Sequence, residues 1–174
     1  MPPCIDVYGL TRSRSVATIE QFLDAYAPAA REMHDVEVMP YDEATANDTY
    51  SSAAEFLAAM GNRESTTFST IADAISFGVD NSAVAFTLRV PSRWTDRQVD
   101  CGAGVTFTFD GQLVFGLALD DSNERAEKLA LANRLLDDLI SSHECHRGLI
   151  AVERHAPLAE ADFNDIRYAL AVRP

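Results

Sequence analysis

Residues 105–119 read VTFTFDGQLVFGLAL, two apolar runs on either side of the dipeptide Asp110-Gly111. An Asp-Gly pair between apolar runs is a strong hairpin signal, because both central residues of a type I′ turn need a positive φ angle. The stretch therefore predicts a β-hairpin over about 101–119, in the middle of the chain.

The register of this hairpin is open between two pairings. A two-residue loop places Phe107 opposite Val114. A three-residue loop instead pairs Phe107 with Phe115 and Phe109 with Leu113, which gathers the large apolar side chains on one face, as register normally does. If the strand from Leu113 is buried on both faces, either pairing is compatible with the sequence.

Periodic apolar patterns extend outward from the hairpin in both directions. Alternating runs predict strands, and apolar residues at three- and four-residue steps predict helices. Gly9 is expected to end the first strand, Ser15 to cap the first helix, and Thr70 with Asp73 and Gly78 to begin and end a later one. The further predicted strands are 5–8, 36–39, 83–90 and 149–152, and the predicted helices are 15–27, 52–60, 70–77, 121–143 and 158–166.

The order of these elements is β-α-β-α-α-β-β-β-α-β-α. A mixed order with a central hairpin predicts an α+β fold, with a central, mostly antiparallel sheet and helices packed mainly on one face. The chain has 174 residues, of which 47% are hydrophobic, enough for one core. We therefore expect a single α+β domain over residues 1–174.

The charge balance bears on the kind of partner. Asp and Glu number 27 against 14 Lys and Arg, a formal net charge of −13. Such a surface opposes contact with the phosphates of nucleic acids and with anionic membranes, and it attracts basic proteins. The alternative is that the charge serves solubility alone. We expect no binding to nucleic acids or membranes, and we expect a protein partner, with a basic protein as one candidate.

The cysteines and the beginning of the sequence bear on the compartment. Cys4, Cys101 and Cys145 are an odd number without a disulfide spacing, which favours a reducing environment. The first residues show neither a basic nor an apolar leader segment, and the apolar run Leu113–Leu119 is too short to cross a bilayer. The expected localisation is cytoplasmic.

One group of candidate metal ligands consists of His143, Cys145 and His146, with His155 downstream. Imidazole and thiolate groups bind zinc and copper, but the spacing differs from that of common structural sites. Histidines at the end of a helix also interact favourably with its dipole, and Cys145 could pack as a small hydrophobic residue. We therefore predict no bound metal and no cofactor.

A second candidate site is the turn between the first strand and the first helix, Tyr8–Ser15. Its hydroxyls and arginines, together with backbone N–H groups at a helix start, could bind an anion. The alternative is an ordinary capped helix with solvated arginines. The candidate anion-binding residues are Thr11, Arg12, Ser13 and Arg14.

A third candidate site is the loop 91–98, which contains the only tryptophan of the chain. Trp and Arg are common at the centres of protein interfaces, so Arg93, Trp94 and Arg97 are predicted to contact a partner, with Trp94 at least partly in water. The alternative is that Trp94 folds over the core with Arg93 stacked on it.

The sequence favours a non-catalytic protein-interaction domain over an enzyme. No serine lies in a G-x-S-x-G pattern and no H-E-x-x-H motif is present. A bacterial immunity protein or antitoxin that neutralises a partner would have this acidic, compact profile. The alternative is a small enzyme or ligand-binding domain that uses the Tyr8–Ser15 turn or the group His143, Cys145, His146 and His155.

Overall fold

The computed structural model describes residues 4–41, 65–121, 125–152, 155–164 and 169–173. Its strands are β1 Cys4–Thr11, β2 His34–Val38, β3 Thr66–Thr70, β4 Phe86–Pro91, β5 Gly102–Phe107, β6 Leu113–Asp120, β7 Arg147–Val152 and β8 Ala169–Arg173. Its α-helices are α1 Val16–Tyr26, α2 Ile71–Asp80 and α3 Arg125–Ser142, with short 3₁₀-helices at Pro28–Glu32, Ser92–Trp94 and Glu160–Asn164.

Six strands form one sheet in the order β4-β5-β6-β1-β7-β8, and every neighbouring pair is antiparallel. Strands β2 and β3 pair separately. The predicted α+β fold with an antiparallel sheet is confirmed, and the predicted hairpin is β5–β6.

Both predicted registers of the hairpin are wrong. Phe107 pairs with Leu113 and Val105 with Phe115. The loop has three residues, but it is closed by Thr108 and Gln112, one residue earlier in the sequence than the predicted pair Phe109 and Leu113. The Thr108 N–H donates to the Gln112 carbonyl at 3.2 Å, and Gly111 takes a φ of 79° as the last loop residue. The observed register differs by two residues from the three-residue prediction, so the large apolar side chains still share one face.

Local caps follow the sequence prediction. The Ser15 hydroxyl accepts a hydrogen bond from the Thr18 N–H, and Thr70 and Asp73 form a reciprocal capping box at the start of α2. Two predicted ends are wrong: β1 continues through Gly9 to Thr11, and α2 continues past Gly78 to Asp80.

The last part of the chain also differs from the prediction. Within the region predicted as helix 158–166, the described residues form a 3₁₀-helix, and the unpredicted strand β8 follows it. The short strand β3 was also unpredicted. The predicted helix 52–60 lies outside the described residues.

Among the described residues, the main core joins one face of the sheet to buried side chains of α1, α2 and α3. The Phe22 ring of α1 stacks on Phe115 of β6, with centroids 4.3 Å apart. On the other sheet face, Tyr8 and Leu10 belong to a second cluster that includes Phe163. Within the described ranges, no helix is both long and apolar enough to cross a membrane.

Candidate functional site

A trough of about 730 Å³ lies on the sheet face opposite the main core, over strands β4, β5, β6 and β1. Alternate residues of a strand point to opposite faces, so the residues that line the trough alternate with core residues such as Val7 and Val105. A cavity of this size is within the range of ligand-binding clefts.

The strand registers place small residues on the floor and larger ones on two walls. The floor is formed where β5 and β6 pair glycine with glycine or alanine, and the walls are β4 on one side and β1 on the other. The successive rows across the four strands are Thr87-Thr106-Val114-Leu10, Arg89-Gly104-Gly116-Tyr8 and Pro91-Gly102-Ala118-Asp6.

The two central glycines differ in how much space surrounds them. A Cβ at Gly116 would lie 3.1 Å from the Tyr8 ring, so the ring packs directly over this glycine. A Cβ at Gly104 would meet the Leu88 carbonyl at 3.4 Å and the Thr87 methyl at 3.5 Å, which are ordinary contacts. A side chain at position 104 would therefore fill the trough without displacing the sheet.

One end of the trough is lined by a chain of hydroxyl groups. The Tyr41 hydroxyl is 3.1 Å from the Thr87 hydroxyl, which is 2.8 Å from that of Thr106. His155 lines the same cavity, and burial together with the nearby Arg89 charge lowers its pKa, so its ring is neutral at and above neutral pH.

The opposite end of the trough is acidic and contains two cysteines. Asp100, Asp120, Cys4 and Cys101 line it. Asp100 accepts a hydrogen bond from the Asp120 N–H at 2.8 Å and forms an ion pair with Lys128. Burial, with a hydrogen bond to Cys4 and the neighbouring carboxylates, raises the pKa of Cys101 to about 12.

Among the predicted anion-binding residues, Arg14 is held by the fold. Its guanidinium donates hydrogen bonds to the carbonyls of Gly78, Asn81, Val84 and Thr108, and it lies 5.1 Å from the centroid of Phe107. Arg14 therefore connects the end of α2 to the hairpin loop.

The other three residues of that turn are arranged differently. The Ser13 N–H donates to the Thr11 hydroxyl, and the Ser13 hydroxyl is 2.6 Å from that of Thr18 in α1. Arg12 has a largely exposed side chain, 74%, and lies 4.0 Å from Glu160. His146 and Arg147 also approach the same carboxylate oxygen, at 3.6 and 3.8 Å. The anion beside Arg12 is thus a carboxylate of the chain itself.

The predicted partner-contact residues lie beside the trough. Trp94 is partly buried and packs against the main core, and the Arg93 guanidinium lies 5.6 Å from the centroid of its ring. Arg97 is exposed. Pro91 and Ser92, the first residues of loop 91–98, line the trough, so the trough and the loop are continuous.

The structure does not gather the side chains of His143, Cys145, His146 and His155 at one site. His143 is buried against the rings of Phe22, Tyr26 and Phe115. Cys145 is buried, and burial raises its pKa to about 12, whereas His155 lies in the trough. In the part of the chain that the structure describes, no three His, Cys, Asp or Glu side chains come together as a metal site.

His143 predicts a pH dependence of stability. Burial is the main cause that lowers its pKa below the ordinary 6.5, and Asp138 opposes this shift. The unfolded chain then binds a proton at this ring more readily than the folded chain, so the His143 contribution is complete above about pH 6.5 and is lost as the pH falls. We expect the free energy of unfolding to decrease below this pH, and less steeply in His143→Leu.

Urea unfolding monitored by circular dichroism between pH 5 and 8 measures this slope. The exposed residue His34 supplies the control, since His34→Gln should retain the wild-type slope. An unchanged slope in His143→Leu would contradict the assignment.

The sequence analysis missed the trough, although its signal is visible in the printed sequence. Gly102, Gly104, Gly116 and Ala118 are small residues two apart in both strands of the predicted hairpin. Only the registers with β1 and β4 show that they lie between two walls.

Comparison with protein-family models, curated proteins and solved structures finds no match for this chain.

Proposed function

We propose that this chain is a non-catalytic domain that binds a partner protein through the trough and the adjoining loop 91–98. The observation that carries the proposal is the trough itself, with a floor of small residues and walls that include Tyr8 and Arg89. A neutraliser of a partner protein would act in this way, by covering a surface that the partner needs.

The ionisation of Cys101 and Cys145 makes these two thiols poorly suited to nucleophilic catalysis. A thiol whose pKa is about 12, as at Cys101 and Cys145, is almost entirely protonated at neutral pH and is a weak nucleophile. His143, which belongs to the group that an enzyme could use, is buried in the core with 4% of its surface exposed. These groups are therefore poorly suited to act on a substrate.

Loop 91–98, which lies beside the trough, supports a protein as the partner. Trp94 is only partly buried and lies close to the trough, and tryptophan and arginine are common at the centres of interfaces. The net charge of −13 disfavours a nucleic acid and favours a partner with basic groups.

A trough-filling variant tests this proposal. We expect the wild-type protein, immobilised and exposed to lysate of its source cells, to retain a protein that mass spectrometry identifies. Gly104→Val should reduce the affinity for that purified partner at least about tenfold, because a buried clash at an interface costs more than about 1.4 kcal/mol. Titration calorimetry gives the affinity, and Trp94 fluorescence follows the same event because this is the only tryptophan.

The matched control places the same side chain in another strand. Thr67 is exposed in β3, outside the six-stranded sheet, and Thr67→Val should bind the partner with wild-type affinity. Equal affinity of Gly104→Val and the wild type would show that the partner contacts a different surface and would refute the proposal.

A further inference from the structure

Two cysteines meet at the acidic end of the trough. Cys4 begins β1, Cys101 precedes β5, and both side chains are partly exposed. Both line the same end of the trough, and a hydrogen bond joins their thiols. Thiols in such contact need only a short movement to form a disulfide.

The backbone brings these two cysteines together at the end of β6. Cys4 pairs with Asp120 in the register of β1 with β6. On the other side of β6, the Cys101 N–H donates to the Ala118 carbonyl at 3.0 Å, and Asp100 accepts a hydrogen bond from the Asp120 N–H at 2.8 Å. The segment that precedes β5 is therefore held against the same end of β6 as Cys4.

The conformation of Gly102 explains why Cys101 faces the trough. Gly102 and Gly104 line the trough, so regular strand alternation would direct the residue before Gly102 to the core. Gly102 has a φ of 130°, a value that glycine adopts readily and other residues do not, and this interrupts the alternation. Cys101 therefore lines the trough face, the face that Cys4 shares with Tyr8.

We propose that Cys4 and Cys101 are an oxidation site that forms a reversible disulfide at the end of β6. The oxidant is a small disulfide such as oxidised glutathione. Cys4 displaces one glutathione and becomes a mixed disulfide, and Cys101 then attacks the Cys4 sulfur and releases the second glutathione. The two cysteines lose two electrons and two protons, and the oxidised glutathione becomes two glutathione thiols. Disulfides of this transient kind occur in reducing compartments as redox sensors.

The contact between the two sulfurs offsets the protonation of Cys101. Burial is the main cause that raises its pKa to about 12, so its thiolate is scarce at neutral pH and Cys101 is the second of the two to react. Its attack on Cys4 is intramolecular, and well-oriented neighbouring groups react with effective molarities of about 10⁵ M or more. A thiol that is a weak nucleophile toward a substrate can therefore still close this disulfide.

Thiol mapping tests the site and needs no partner, so its outcome is independent of the proposed function. The reduced protein is treated with about 1 mM oxidised glutathione at pH 8, its remaining thiols are alkylated in urea, and it is digested with trypsin without reduction. The three cysteines fall in separate tryptic peptides, 1–12, 98–125 and 135–147. We expect peptides 1–12 and 98–125 to be joined, two hydrogens below their summed mass, and Cys145 to be alkylated.

Single substitutions provide the matched controls. Cys4→Ser and Cys101→Ser each remove one sulfur of the pair and should give no joined peptides. Cys145 is buried in the main core, and Cys145→Ala should give as much of the joined peptides as the wild-type protein.

The disulfide should also stabilise the fold. It would close a segment of about a hundred residues and restrict the unfolded chain accordingly. We expect the urea midpoint of the oxidised protein to lie about 1 M above that of the reduced protein, and a phosphine reductant to reverse the shift. The same treatment should leave the midpoint of Cys4→Ser unchanged.

Three results would contradict the inference. Glutathione that stays on Cys4 without a link would show that Cys101 does not reach it in the folded protein. A link that includes peptide 135–147, or disulfide-linked dimers in place of the internal link, would show that the two cysteines are not the preferred pair. An oxidised protein no more stable than the reduced one would show that the link does not fit the folded structure.

Discussion

Arg14→Ala is expected to lower the free energy of unfolding by about 3 kcal/mol, because hydrogen bonds from a charged donor contribute about 1.5–3 kcal/mol and their loss leaves acceptors unsatisfied. The guanidinium donates to the Gly78 carbonyl at 2.7 Å and to the Asn81 carbonyl at 3.0 Å, at the end of α2, where helix carbonyls have no partner within the helix. It also donates to Thr108 in the hairpin loop at 3.2 Å.

Urea unfolding followed by circular dichroism measures this loss. Arg12→Ala removes the same side chain from a largely exposed position two residues earlier, and it should cost less than about 1 kcal/mol. Arg14→Lys should be intermediate, since an ammonium keeps the charge but lacks the planar fork that reaches several carbonyls. A cost below about 1 kcal/mol for Arg14→Ala would show that these hydrogen bonds contribute little.

Gly148→Val is expected to destabilise the protein by about 3 kcal/mol through overpacking. A Cβ at this position would lie 2.2 Å from Cδ1 of Leu136, and Leu136 is fully buried in α3, so it cannot turn away into solvent. Gly9 lies directly opposite on β1, where a Cβ would come 2.7 Å from the Cys145 sulfur. The two glycines together allow α3 to pack closely on the centre of the sheet.

The same substitution on the other face of the sheet is the control. Gly104→Val introduces its side chain into the trough, with only ordinary contacts at Cβ, and should change the free energy of unfolding by less than about 1 kcal/mol. Thermal and urea unfolding of both variants compare the two faces. Equal costs would mean that the loss of glycine in a strand, and not the contact with Leu136, determines the effect.

The features predicted correctly depend on residues close together in sequence. Ser15 and the pair Thr70 and Asp73 cap their helices as predicted, because a cap is decided within one helical turn. The hairpin followed from two apolar runs and Asp110-Gly111. The register could not be predicted, because the local sequence is compatible with several loops, and the loop closed by Thr108 and Gln112 is only one of them.

The candidate site depended on residues that are far apart in sequence. Arg14, grouped by sequence with an anion-binding turn, donates to carbonyls more than sixty residues away. The histidines near 143–146 share a short segment, yet His143 faces the core and His146 faces Glu160. Residues 143–146 connect α3 to β7, and the chain turns there, so side chains that are neighbours in sequence point into different parts of the structure.

The sequence by itself determined the α+β class, the antiparallel hairpin and the helix starts, because propensity, caps and apolar periodicity act over a few residues. The tertiary structure alone decided the strand order, the role of Gly9 beneath α3 and the trough between Arg89 and Tyr8. Each of these depends on which distant strands become neighbours, and that choice is made by packing of the whole core rather than by any local preference.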